Sequence, residues 1–139
     1  MDEQRRAFQR LERAATDGRL QSLCDRYGVD LLVGFGSAVR DTGRPAADVD
    51  LAFRFDPARR GDLVGFVDAL TALLRIDAID FMDLERAAPV AREQALLHGK
   101  PLFERRSGDF ARAQMSAINQ RMDTEWIRRM QRKQLTEWQ

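Results

Sequence analysis

The sequence predicts one α+β domain, a mixed β-sheet flanked by helices, and three observations lead there. Apolar residues recur at helical spacing in some segments, while in others they alternate or run on continuously. The segments follow one another as helix, strand, strand, helix, strand, helix, an order that suits a mixed sheet. The chain is 139 residues long, enough for one core with little room for a second. The domain therefore spans 1–139, with a core of about 20–105 and a C-terminal helix of about 107–135.

Phe8 and Leu11 begin an arginine-rich helical stretch that Gly18 interrupts. Leu20, Leu23, Cys24 and Tyr27 then fall at i, i+3, i+4 and i+7, with Gly28 placed to stop the helix. DLLVGF, Asp30 to Phe35, reads as a buried strand, and Gly36 to Ala47 as a turn-rich connection. DVDLAFRF alternates: Val49, Leu51, Phe53 and Phe55 share one face, Asp48, Asp50, Ala52 and Arg54 the other. Leu63, Phe66, Val67, Leu70 and Leu74 form a helical stripe. Ile76 to Leu84 is apolar enough for a central strand, and Pro89 to His98 is a helix opened by proline and closed by Gly99. Pro101 to Glu104 adds a short edge strand. From about Ser107 the chain is helical, with Met115, Ile118, Met122 and Trp126 along one side.

Composition excludes several classes of function. At 44% apolar and 32% charged the chain reads as a soluble globular protein. A formal charge of +1 carries no general grip on nucleic acid or anionic membrane, so no direct nucleic-acid binding is expected. No run of about 18 apolar residues exists and the N-terminus is too polar for a signal peptide, which points to the cytoplasm. Cys24 is the single cysteine, so neither an intrachain disulfide nor a cysteine-rich metal site is expected.

Asp48 and Asp50 carry the chemistry. On a strand they point the same way with Cβ atoms roughly 7 Å apart, close enough to ligate metal ions jointly. Taken alone the pair has two readings: a half-exposed strand whose aspartates face water, or two mutually repelling carboxylates that call for a cation. The segment upstream favours the second. Gly36-Ser37 directly follows a buried strand, where small residues let backbone N–H groups approach an anion. Ten residues separate that turn from Asp48-Val49-Asp50. A phosphate-facing turn followed by a carboxylate pair is what handling a magnesium–triphosphate requires.

The segment GFGSAVRDTGRPAADVDLAF resembles the signature of the polymerase-β-type nucleotidyltransferase superfamily, a Gly-Ser pair followed by Asp-x-Asp. Its ten-residue spacing is similar to that of the minimal nucleotidyltransferases, the MNT or MntA type. IDAIDFMDLERAAPVAREQALLHGKPLFER resembles the second half of that family, so the likeness runs from about Leu20 to Arg105, with a looser match around Asp123. The resemblance implies a polymerase-β-like palm fold in which Gly36 and Ser37 bind the β- and γ-phosphates of ATP. It implies that Asp48, Asp50 and a third carboxylate hold two Mg²⁺ ions. Asp77, Asp80 and Asp83 are available as the third, and matching Asp83-Leu84 and the following Ala-Ala-Pro to the family selects Asp80. Asp77 is the runner-up, although structural or solvent-facing roles suit both it and Asp83 better.

The chain departs from the family pattern in two places. Ala38, Val39, Arg40 and Asp41 stand where Arg-x-Arg-Gly is common, and Ala47 where serine often precedes the first aspartate. Arg40 reads either as a neutraliser of triphosphate charge or as a surface arginine, and Asp41 adds a negative charge beside the phosphate turn. The implied reaction is attack of an acceptor hydroxyl, activated with help from Asp80, on the α-phosphorus of ATP, with pyrophosphate leaving. The implied role is an antitoxin that adds AMP to a tyrosine of a HEPN-domain toxin. Transfer to a small molecule and non-catalytic masking of a partner are the alternatives. His98 and Tyr27 read as a helix-end residue and a helix-core residue. Trp126 and Trp138 read as partner anchors, or Trp126 as intramolecular packing and Trp138 as part of a fraying end.

Overall fold

In the computed structural model, residues 2–39 and 48–137 are described. Two N-terminal helices, α1 (Glu3–Asp17) and α2 (Arg19–Tyr27), meet at Gly18. Asp2 caps α1 by accepting a hydrogen bond from the Arg5 backbone N–H at 2.8 Å, which satisfies one of the open donors of the first turn. Gly28 ends α2 in the left-handed region at φ 81°, where its lack of a Cβ removes the steric cost. The remaining elements are β1 (Val29–Phe35), β2 (Val49–Phe55), α3 (Leu63–Leu74), β3 (Ile79–Asp83), α4 (Pro89–Leu97), β4 (Lys100–Glu104) and α5 (Asp109–Glu137).

The four strands lie in the order β3-β2-β1-β4. β1 pairs antiparallel with both β2 and β4, and β2 pairs parallel with β3, so the sheet is mixed and the domain α+β. The parallel pair is joined by a crossover through α3, as parallel strands require. Ile76 to Leu84 does not form the central strand that its apolar content predicts. The strand is shorter, and it is an edge. Arg75 ends α3 at φ 59°, and Ile79 donates its N–H to the Asp77 carbonyl at 2.8 Å, so the chain is still turning where a longer strand would begin. Ile76 is buried in that turn, which accounts for the apolar excess without a further strand neighbour.

Each face of the sheet has its own core. On one face Val49, Leu51 and Phe53 of β2 pack with Leu11, Leu20, Phe66 and Leu70 from α1, α2 and α3. Phe53 sits at the centre of an aromatic cluster, with ring centroids 5.2 Å from Phe55, 5.5 Å from Phe66 and 6.5 Å from Phe81. On the other face Leu31, Val33 and Ala52 pack with Leu84, Ala95, Leu96 and Ala117, so α4 and the first half of α5 form the second layer. The alternation of β2 thus places Ala52 in a core while Asp50 and Arg54, two residues to either side, stay only half buried. None of the described helices is long and apolar enough to cross a membrane.

Candidate active site

The carboxylates gather at one end of the sheet because of strand register. Asp48 immediately precedes β2 and is exposed, whereas Asp50 lies inside β2 and is half buried. β3 runs parallel to β2 with Asp80 directly opposite Asp50, and register partners in a sheet present their side chains to the same face. The three aspartates therefore share one patch, which strand alternation alone could not have established for Asp80. Asp77 falls outside β3 and lends the turn its backbone carbonyl. Asp83 lies three residues beyond Asp80, on the opposite face. Its Oδ1 accepts the Glu85 N–H at 3.0 Å and its carbonyl accepts the N–H groups of Arg86 and Ala87.

The electrostatics of the patch are unfavourable in the absence of a cation. Burial, and then the neighbouring charges of Asp80 and Asp48, push the Asp50 carboxyl above its ordinary range. No lysine or arginine is ion-paired with any of the three carboxylates among the described residues. Among those residues, too, no three Asp, Glu, His or Cys side chains form a ready cage for a metal ion. An open, all-carboxylate donor set suits magnesium, which keeps several waters and takes one or two carboxylates together with substrate phosphates. Asp48, Asp50 and Asp80 are the residues that would hold it.

Gly36 has a structural tie to this patch that motif reading missed. β1 ends at Phe35, the register partner of Asp50, and the chain turns at once with the Val39 N–H donating to the Gly36 carbonyl at 3.2 Å. Gly36 adopts φ 77°, and a Cβ built on it would meet Asp50 Oδ2 at 2.1 Å. The glycine is thus required both by its backbone conformation and by the carboxylate packed against it. Only the cross-strand register reveals this, and register is not written in local sequence. Gly36→Ala is therefore expected to destabilise the fold by about 2 kcal/mol or more, the left-handed strain alone costing about 1–2 kcal/mol. Urea denaturation measures it, and a change below about 0.5 kcal/mol would show that the turn relaxes without cost.

Ser37 is half exposed in the same turn, and Arg40, Asp41 and Ala47 lie outside the described residues. Arg54, on the same strand face, is committed elsewhere: its Nε bonds Asp30 Oδ1 at 2.8 Å, and Asp109 lies 4.0 Å from its guanidinium. This network lines a cavity of about 560 Å³ at the other end of β2, with Asp56 paired to Arg105 beside it. A depression of about 790 Å³ runs along α5 from Ala111 to Ile127, away from the carboxylates, so chemistry rather than volume picks out the site. His98 is the exposed C-cap of α4, and Tyr27 packs on the first core with Arg26 over its ring. Burial pushes the Cys24 thiol up to about 12, which leaves it inert.

Comparison with known proteins agrees with this fold. The sequence profile of the family described as Polymerase beta, Nucleotidyltransferase matches residues 19–108. No curated protein matches the chain. Among solved structures, the fold is shared with a chain of the Shewanella oneidensis tri-AMPylated HEPN toxin in complex with MNT antitoxin. That match has a TM-score of 0.59 at 19% identity and covers 90% of this chain and 98% of that one. A toxin–antitoxin structure with AMP-PNP matches with a TM-score of 0.59 at 19% identity, covering 86% and 98%. The toxin–antitoxin MntA-HepT matches with a TM-score of 0.58 at 19% identity, covering 86% and 96%.

Proposed function

This chain belongs to the polymerase β nucleotidyltransferase family, and on that premise we propose that it is an antitoxin that transfers AMP from magnesium-bound ATP to a tyrosine of a HEPN-type toxin. The observation that carries the reading is the meeting of Asp48, Asp50 and Asp80 on one patch, where burial and then the charges of Asp80 and Asp48 hold the Asp50 carboxyl above its ordinary range. Magnesium on these carboxylates supplies charge neutralisation for the triphosphate and stabilises developing charge on the attacking and leaving oxygens.

The chain's own residues do the rest. In this reading Gly36 and Ser37, at the end of β1, offer backbone N–H groups to the β- and γ-phosphates, and Arg40 is the residue that neutralises triphosphate charge. Asp80 stands exposed on the edge strand, where it can hold the proton of an incoming hydroxyl. That oxygen attacks the α-phosphorus in line; the bond from the α-phosphorus to the bridging oxygen breaks and pyrophosphate leaves. The main contributions of the protein are position and charge rather than covalent chemistry. The acceptor reading draws support from the fold shared with the complex of a tri-AMPylated HEPN toxin and MNT antitoxin, and the ATP reading from the structure with AMP-PNP.

Incubation with ATP, Mg²⁺ and its HEPN-type partner is expected to raise the partner's mass by whole adenylyl groups, mapped to tyrosine by fragmentation. Asp48→Asn should bind the partner and leave its mass unchanged. Neutralisation of the partner with no mass shift, undiminished in that variant, would establish masking in place of catalysis.

A further inference from the structure

Beyond the carboxylate site, the most unusual surface is the outer face of α5. Only the first half of this 29-residue helix is anchored: Ala117 is buried against α4, Gln114 Nε2 donates to the Leu96 carbonyl at 2.9 Å, and Arg121 Nε lies 2.5 Å from Glu93. Beyond Glu125, no hydrogen bond or ion pair among the described residues links the helix to another element. The reading of the stripe as intramolecular packing is overturned, because it lies opposite the anchored side. Met115 is 59% exposed, Met122 56%, Trp126 63% and Met130 43%. A free helical segment of about 12 residues is only marginally stable in water, so both the stripe and the helix call for cover.

We propose that a second copy of this chain covers it, the two α5 helices pairing antiparallel about a two-fold axis at Trp126. Two features of the helix suit self-pairing. An isologous contact needs matching groups at equal distances from its axis, and Met122 and Met130 stand four residues to either side of Trp126. The helix is also polar in charge. Over the length that two helices crossing at Trp126 share, residues 115–125 carry Asp123 and Glu125 against Arg121, and residues 127–136 carry Arg128, Arg129, Arg132 and Lys133. Antiparallel pairing lays the basic half of one helix along the acidic half of the other, whereas parallel pairing sets like halves together. The contact leaves the three aspartates, on a different part of the domain, open to substrate.

Sedimentation equilibrium of the full chain from about 1 to 100 µM is expected to approach twice 15.9 kDa. Trp126→Glu should raise the dissociation constant by at least about 30-fold with unchanged circular dichroism of the core. Register is tested by cysteine pairs. Chains with Met122→Cys mixed with chains carrying Met130→Cys should form a mixed disulfide on mild oxidation. Either alone should not, because identical positions are offset by about 12 Å along the helices. A mass that stays at 15.9 kDa throughout the range overturns the proposal and leaves the stripe to a different protein. Self-disulfides at each position without mixed preference would mean parallel pairing and overturn it equally.

Discussion

An Asp50→Asn variant is expected to lose AMP transfer by about 10³-fold and yet, without metal, to melt at a higher temperature than the parent chain. Both effects have one cause. Burial and the charges of Asp80 and Asp48 raise the Asp50 pKa in the folded chain. A carboxyl raised in this way binds its proton more tightly folded than unfolded. Its contribution to stability is present below the unfolded pKa and lost as pH rises through the folded one. At neutral pH the charged Asp50 therefore opposes folding, and a neutral asparagine of the same shape relieves that opposition while removing a metal-binding charge. Asp80→Asn should likewise abolish transfer, since it stands opposite Asp50, whereas Asp77→Asn, outside the strand, should stay within a few fold. Calorimetric melting and a radiolabelled transfer assay read the two effects. A lowered Tm for Asp50→Asn, or greater loss at Asp77 than at Asp80, would remove the basis for the site as drawn.

The second large effect concerns stability alone. Phe53→Ala is expected to cost about 3–5 kcal/mol, because it removes a fully buried ring in contact with three others and the backbone of a central strand cannot collapse into the gap. That is a large share of the about 5–15 kcal/mol available to a domain of this kind. Phe55→Ala, at the partly exposed end of the same strand, should cost roughly half as much. Chemical denaturation decides it, and a loss at Phe53 below about 1 kcal/mol would mean that the aromatic cluster is not the organising core.

Where one segment held its own signal, sequence and structure agree. Leu20, Leu23, Cys24 and Tyr27 with Gly28 define α2 within a residue of its bounds, and the alternation of DVDLAFRF separates the two faces of β2 correctly. Mixed pairing also follows from the order of elements. What stayed hidden depends on contacts distant in sequence. The apolar content of Ile76 to Leu84 reports burial but not the number of strand neighbours, so an edge strand with a buried lead-in looked like a central one. The stripe on α5 shows in the sequence, but what faces it does not, since periodicity fixes which residues share a face and never what covers that face. The patch was legible in its parts: Asp48 and Asp50 from spacing, Asp80 from family likeness. The contact of Gly36 with Asp50 needed the register between β1 and β2.

The position of β4 has a consequence for how the sheet is assembled. β1 meets β2 across a connection of fewer than twenty residues, but its other edge waits for β4, with Leu31 paired to Glu104 about seventy residues further on. Loop-closure entropy grows with the logarithm of that span, so seating β4 costs about 1 kcal/mol more than seating β2 before any contact repays it. During synthesis the apolar strand Val29–Phe35 gains its first neighbour long before its second. In the finished protein the same arithmetic makes β4, held by one neighbouring strand and closing the longest loop, the strand whose release returns the most freedom to the chain.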